Sequence, residues 1–76
     1  MKASRAFRVI LSRAGHVPAF LADPSRTDHV EVVDNDSGEV ILYWDLAPRE
    51  AGRRARELNE DLDRLEADDF LKRWSE

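Results

Sequence analysis

Hydrophobic and polar residues change their period twice along this chain. Two runs rich in Val, Ile, Tyr and Trp, Asp28–Asp34 and Glu39–Asp45, flank the segment Asn35-Asp36-Ser37-Gly38. Such runs around a turn-forming cluster predict a β-hairpin. Asp34 can accept hydrogen bonds from the turn amides, and Gly38 can take the left-handed conformation that closes such loops. With a four-residue loop, Asp34 stands opposite Glu39. One face then carries Val30, Val32, Ile41 and Tyr43, and the other Val33, Val40, Leu42 and Trp44 beside His29 and Glu31. A three-residue loop shifts this register by one. In either register the second strand is apolar on both sides, which predicts a central strand or a covered sheet.

After the hairpin the period lengthens. Pro48 suits the first position of a helix and Glu50 the third. Ala51, Ala55, Leu58, Leu62 and Leu65 then recur three or four residues apart, a narrow apolar stripe expected to lie across the hairpin's apolar face. Asp68-Asp69 can cap a final short turn in which Phe70, Leu71 and Trp74 fold back onto the body. Before the hairpin the pattern fits two structures. Phe7, Val9 and Leu11 alternate as in a strand. Phe7, Ile10, Leu11 and Ala14 equally match a helix face, with Ser4 as cap and Gly15 as stop. The strand is preferred, because a lone two-stranded hairpin rarely makes a stable sheet. Residues 13–27 then form a long connection carrying Phe20 and Leu21. The expected fold is α+β, one domain over residues 1–76. It comprises a small three-stranded antiparallel sheet (β-β-β-α) with a long C-terminal helix packed on one face.

Composition narrows the classes. The chain has 76 residues, 42% of them hydrophobic and 37% charged, as in a folded protein and not a disordered tail. A domain this size buries roughly 60% of its unfolded surface. With no cysteine it has neither disulfide nor thiolate metal site to add stability. Association with a copy or a partner would help. No apolar run approaches the roughly 18 residues needed to span a bilayer. Arg8 and Arg13 interrupt the N-terminal apolar stretch, which argues against a signal peptide. The expected location is cytoplasmic.

Charge is distributed unevenly. Residues 1–27 hold five basic residues against one acid, Asp23, whereas residues 28–76 hold seven basic and fifteen acidic ones. The reversal recurs inside the long helix, net +3 over residues 49–56 and net −6 over 57–69. A helix dipole favours the opposite arrangement by about 0.3–1 kcal/mol per charge. Glu50–Arg54, Arg53–Glu57, Arg56–Glu60 and Glu60–Arg64 are spaced to compensate along the helix. The basic head can also meet an acidic surface such as region 28–45, which has six acids and no Lys or Arg. An antiparallel copy of the helix would do the same in a two-fold dimer. Alternatively, Arg49, Arg53, Arg54 and Arg56 could join Arg5, Arg8 and Arg13 as a phosphate-binding patch. Net charge −4 opposes approach to nucleic acid and ranks that reading second.

Catalytic signals are sparse. His16 and His29 lack an adjacent nucleophile pattern and match no zinc spacing. Asp34-Asn35-Asp36-Ser37-Gly38 departs from a calcium loop, which needs an oxygen ligand at position 5 and Gly at position 6, and is read as a turn. A His before a hairpin, in a helix–three-strand–helix order, is similar in coarse layout to HicA-like messenger-RNA interferase toxins, which would put catalysis at His29. The chain has Thr27-Asp28 where those toxins have Gly-Ser, and is acidic where they are basic. The likeness covers element order and one residue, and shows no membership.

The sequence therefore points to a non-catalytic, cofactor-free and metal-free module that binds a protein or a second copy of itself. The candidate binding residues are Trp44, Leu42 and Val33 on one sheet face, the helix arginines Arg49, Arg53, Arg54 and Arg56, and the near-terminal Trp74. The alternative is a nucleic-acid-binding regulator using the Arg patches.

Overall fold

A computed structural model describes residues 1–12 and 27–75. The connection carrying Gly15, His16, Phe20 and Leu21, and Arg13 with it, lies outside the described residues. One helical turn, α1 (Ala3–Ala6), leads into strand β1 (Phe7–Ser12). The hairpin follows as β2 (Asp28–Asp34) and β3 (Val40–Leu46), then the helices α2 (Pro48–Arg64) and α3 (Ala67–Trp74). The antiparallel sheet has the order β1-β2-β3. The expected α+β fold is present: Phe7, Val9 and Leu11 lie in a strand as expected, and the helical turn Ala3–Ala6 before them was not expected.

The hairpin loop closes as its residues require. Asp34 N–H donates to the Glu39 carbonyl at 2.8 Å and Gly38 N–H to the Asp34 carbonyl at 2.9 Å. The Asp34 carboxylate accepts from the amides of Asp36 and Ser37, and Gly38 has φ +75°. Asn35 fastens this loop to the N-terminal segment. Its N–H donates to the Ala6 carbonyl, its Nδ2 to the Arg5 carbonyl, and its Oδ1 accepts from Arg8.

One residue beyond the loop the register changes. Val33 pairs with Val40, but Val32 pairs with Leu42, so Ile41 is an extra residue in β3. This bulge moves every later β3 side chain to the opposite face from that expected of a regular hairpin. Leu42 and Trp44 therefore share a face with Val30 and Val32, and Tyr43 joins His29 and Glu31. The expected grouping of Val33 with Leu42 and Trp44 does not form. For the second hairpin strand the expectation was a central strand or a covered sheet. β1 pairs with β2 along its whole length, setting Val9 beside Val32 and Leu11 beside Val30, so among the described residues β2 is the central strand and β3 lies at the edge.

The helices cover one face of the sheet. Ala51, Ala55, Leu58 and Leu62 of α2 pack with Ala3, Phe7, Val30, Val32 and Phe70 in one buried cluster. Phe70 of α3 is fully buried and stacks on Phe7, ring centroids 5.7 Å apart. Leu65 ends α2, where its N–H reaches the Asp61 carbonyl. Residues 65–67 are tied to the start of the chain by Ala3 N–H to the Leu65 carbonyl and Ala67 N–H to the Met1 carbonyl.

Candidate interaction surfaces

β3 combines sequence and position in an unusual way. Val40-Ile41-Leu42-Tyr43-Trp44-Asp45-Leu46 has six apolar residues in seven, without Lys, Arg, Pro or Gly. None of the seven is buried, whereas four of the seven in β2 are. On the outer face Val40 and Tyr43 are about half exposed, and Ile10 across the sheet is exposed with them. On the helix side Leu42, Trp44 and Leu46 touch the core cluster but stay half-buried, with Ile41 beside them. Among the described residues β2 is the only strand beside β3. Exposed edges of this kind are ordinarily blunted by charge, proline or a covering element. Here the blunting devices among the described residues are the bulge and the one charge, Asp45.

Trp44, Arg54 and Trp74, three of the sequence-predicted site residues, come together on the helix side. The Arg54 guanidinium lies 5.1 Å from the Trp44 ring centroid and 5.6 Å from that of Trp74. The two indoles meet edge to face at 6.0 Å. Cation–π contact and apolar packing hold this stack. Trp44 and Trp74 are thus tied into the body, and Trp44 is not the centre of an open sheet face.

Beneath Trp74 sits a group the sequence reading missed. Asp61 is 5% exposed, its carboxylate accepts from Trp74 Nε1 at 3.0 Å and Arg64 Nη2 at 2.6 Å, and it forms an ion pair with Arg73 Nε at 2.9 Å. The signal was available, because Asp61 interrupts the apolar stripe between Leu58 and Leu62. A carboxylate on a buried face implies donors around it. Arg64 pairs with Asp61 three residues away, not with Glu60 four away. Arg54 stacks on indoles instead of pairing with Glu50. Two surface hollows flank this region. One of about 310 Å³ is lined by Glu57, Glu60, Asp61, Arg64 and Arg73. The other, about 250 Å³, is lined by Glu50, Arg53, Arg54 and Glu57. Both rims mix charge signs.

The outer face holds the described histidine. His29 Nδ1 contacts Asp45 Oδ1, and the Tyr43 hydroxyl lies 2.7 Å from that nitrogen and donates to Asp45 Oδ1 at 3.0 Å. The His29 and Tyr43 rings stack at 5.5 Å. Partial loss of hydration raises the Tyr43 phenol above its ordinary 10.0, as do its hydrogen bond to Asp45 and the negative charges of Asp45 and Glu31. The cluster orients the imidazole against the Asp45 carboxylate and the Tyr43 hydroxyl. Among the described residues no group of three His, Asp or Glu side chains is arranged to hold a metal ion.

The structure places the described arginines of the two groups on different elements. Arg5 and Arg8 sit at the hairpin-loop end, beside Asn35. Arg49, Arg53 and Arg56 are exposed on the first half of α2, which begins two residues after Leu46, and Leu46 pairs with Asp28 at the other end of the sheet. A six-residue strand of about 20 Å separates these ends. No helix among the described residues is long and apolar enough to cross a membrane.

No family model, curated protein or solved structure matches this chain. Its function has to be argued from the surfaces themselves.

Proposed function

We propose that this chain is a non-catalytic protein-binding module of the cytoplasm, and that it binds through the β3 edge and the apolar side chains flanking it. One observation carries the reading. β3 has the composition of a central strand, yet among the described residues it lies at the edge of the sheet, with none of its own residues buried. A strand that is apolar on both sides is stable in water when both sides and both edges are occupied. The protein-binding reading supplies the missing neighbour.

The nucleic-acid reading is weaker on geometry as well as on charge. Arg5 and Arg8 lie beside the hairpin loop whereas α2 starts from the other end of the sheet, and Arg54 is engaged by Trp44 and Trp74. Phosphate recognition would rest on Arg49, Arg53 and Arg56, next to the acidic residues Glu50 and Glu57.

Affinity capture from a cell lysate, with and without nuclease, separates the two. The same capture is run with a Val40→Lys, Tyr43→Lys double variant. The proposal expects nuclease-resistant protein capture that the double variant loses. Capture that disappears with nuclease and with Arg53→Glu, Arg54→Glu would overturn it in favour of nucleic acid.

A further inference from the structure

We propose that the neighbour of β3 is the β3 strand of a second copy, paired antiparallel across a two-fold axis into a continuous six-stranded sheet. The inference rests on the protein-binding reading above and names its partner.

The outer N–H and C=O groups of β3 have no ladder partner among the described residues. An extended backbone is the element that satisfies such a row. The chemistry of the flanks then selects which one. Val40, Ile41, Leu42, Tyr43, Trp44 and Leu46 offer no charge to a charged partner strand. The sole charge in the run, Asp45, is already engaged by His29 and by the Tyr43 hydroxyl. Two copies therefore bring apolar surface onto apolar surface and no unpaired like charges onto each other. The layers also continue across the axis. Leu42, Trp44 and Leu46 of each copy would extend the helix-side core, while Val40 and Tyr43 would meet on the outer side. β1, the other edge, carries Arg8 and the polar Ser12 and lacks this self-matching character.

The size is adequate for a dimer of moderate affinity. Seven residues span about 23 Å. With side chains of both layers, the pair would bury roughly 1,000 Å² in total, at the lower limit of specific interfaces. An isologous contact closes at two copies, and the outer edges are then the two β1 strands, each carrying Arg8 and Ser12.

The test uses the absence of native cysteine. Single cysteines are placed along β3 (Ile41→Cys, Leu42→Cys, Tyr43→Cys) and, as controls, along β1 (Arg8→Cys, Ile10→Cys). Near a two-fold axis a residue meets its own counterpart at a Cα separation of about 4.5–5.5 Å, within disulfide range. At least one β3 variant should therefore oxidise to a covalent dimer, and the β1 variants should form no disulfide-linked dimer. In parallel, sedimentation equilibrium on the unmodified chain should show a monomer–dimer equilibrium at micromolar concentration. Val40→Lys with Tyr43→Lys should weaken it on the order of 100-fold, because like charges then face each other. Circular dichroism of the double variant checks that it remains folded, and the cysteine scan stands should it unfold.

A chain that stays monomeric at high micromolar concentration, with no β3 cross-link, overturns self-pairing. If lysate capture still depends on Val40 and Tyr43 in that case, the protein-binding reading survives with a different strand as partner. If capture is also indifferent to them, both fall. Cross-linking through β1 instead would overturn the assignment to β3.

Discussion

The indole nitrogen of Trp74 donates a 3.0 Å hydrogen bond to Asp61, thirteen residues earlier and on another helix. This bond, with Arg73 on the same carboxylate oxygen, fastens α3 to α2 and brings the Trp74 ring to Trp44 and Arg54. Asp61→Ala removes the shared acceptor and should cost about 2 kcal/mol, the scale of hydrogen bonds to a charged group. Arg73→Ala removes one largely exposed partner and should cost under about 1 kcal/mol. Urea unfolding followed by Trp fluorescence measures both. Equal effects would show that the carboxylate is not the organising group.

Adjacent arginines should behave differently. Arg54→Ala takes the cation from between Trp44 and Trp74 and should destabilise by about 1 kcal/mol. Arg53 is exposed, and Arg53→Ala should change stability by less than about 0.5 kcal/mol. Thermal unfolding of the two variants side by side checks the contrast.

Tyr43 is the only tyrosine in the chain, so tyrosinate absorbance reports it alone. In the folded protein it should ionise above 10.0, the ordinary value from which its surroundings raise it. The linkage follows in sign. The unfolded chain releases this proton first, so the contribution to stability is intact below pH 10 and is lost as pH rises through the folded value. Asp45→Asn should move the titration back toward 10. An unchanged midpoint would show that Asp45 does not hold the phenol.

Gly38 is the one residue with positive φ among those described, at +75°. A Cβ there would meet no atom within 4 Å, so Gly38→Ala carries conformational strain without a steric clash. It should cost about 1 kcal/mol in urea unfolding. Gly38→Asn should cost less, because Asn tolerates the left-handed region.

Much of the fold was legible before any coordinates. The Asp34–Gly38 turn, the flanking strands, Pro48 at the start of α2 and the stripe Ala51, Ala55, Leu58 and Leu62 all follow from local patterns. Phe7, Val9 and Leu11 fitted a third strand, but a helix fitted equally well, and only the need of a hairpin for a third strand decided between them. The site was less legible. Trp44 and Trp74 stood out as aromatic, and Arg54 as part of a cluster, but nothing in their spacing joined them. Asp61 was passed over because its three partners come from positions 64, 73 and 74, two of them on another helix.

The sequence by itself determined the elements, their order and the turn between β2 and β3, because backbone propensity and side-chain period act over a few residues. Tertiary structure decided the rest. The extra residue Ile41 turned Leu42 and Trp44 inward and Tyr43 outward, a choice settled by which face the helices cover. The return of β1 onto β2 made β2 central and left β3 at the edge. Strand order is set by contacts between segments far apart in the chain, and no local period encodes it.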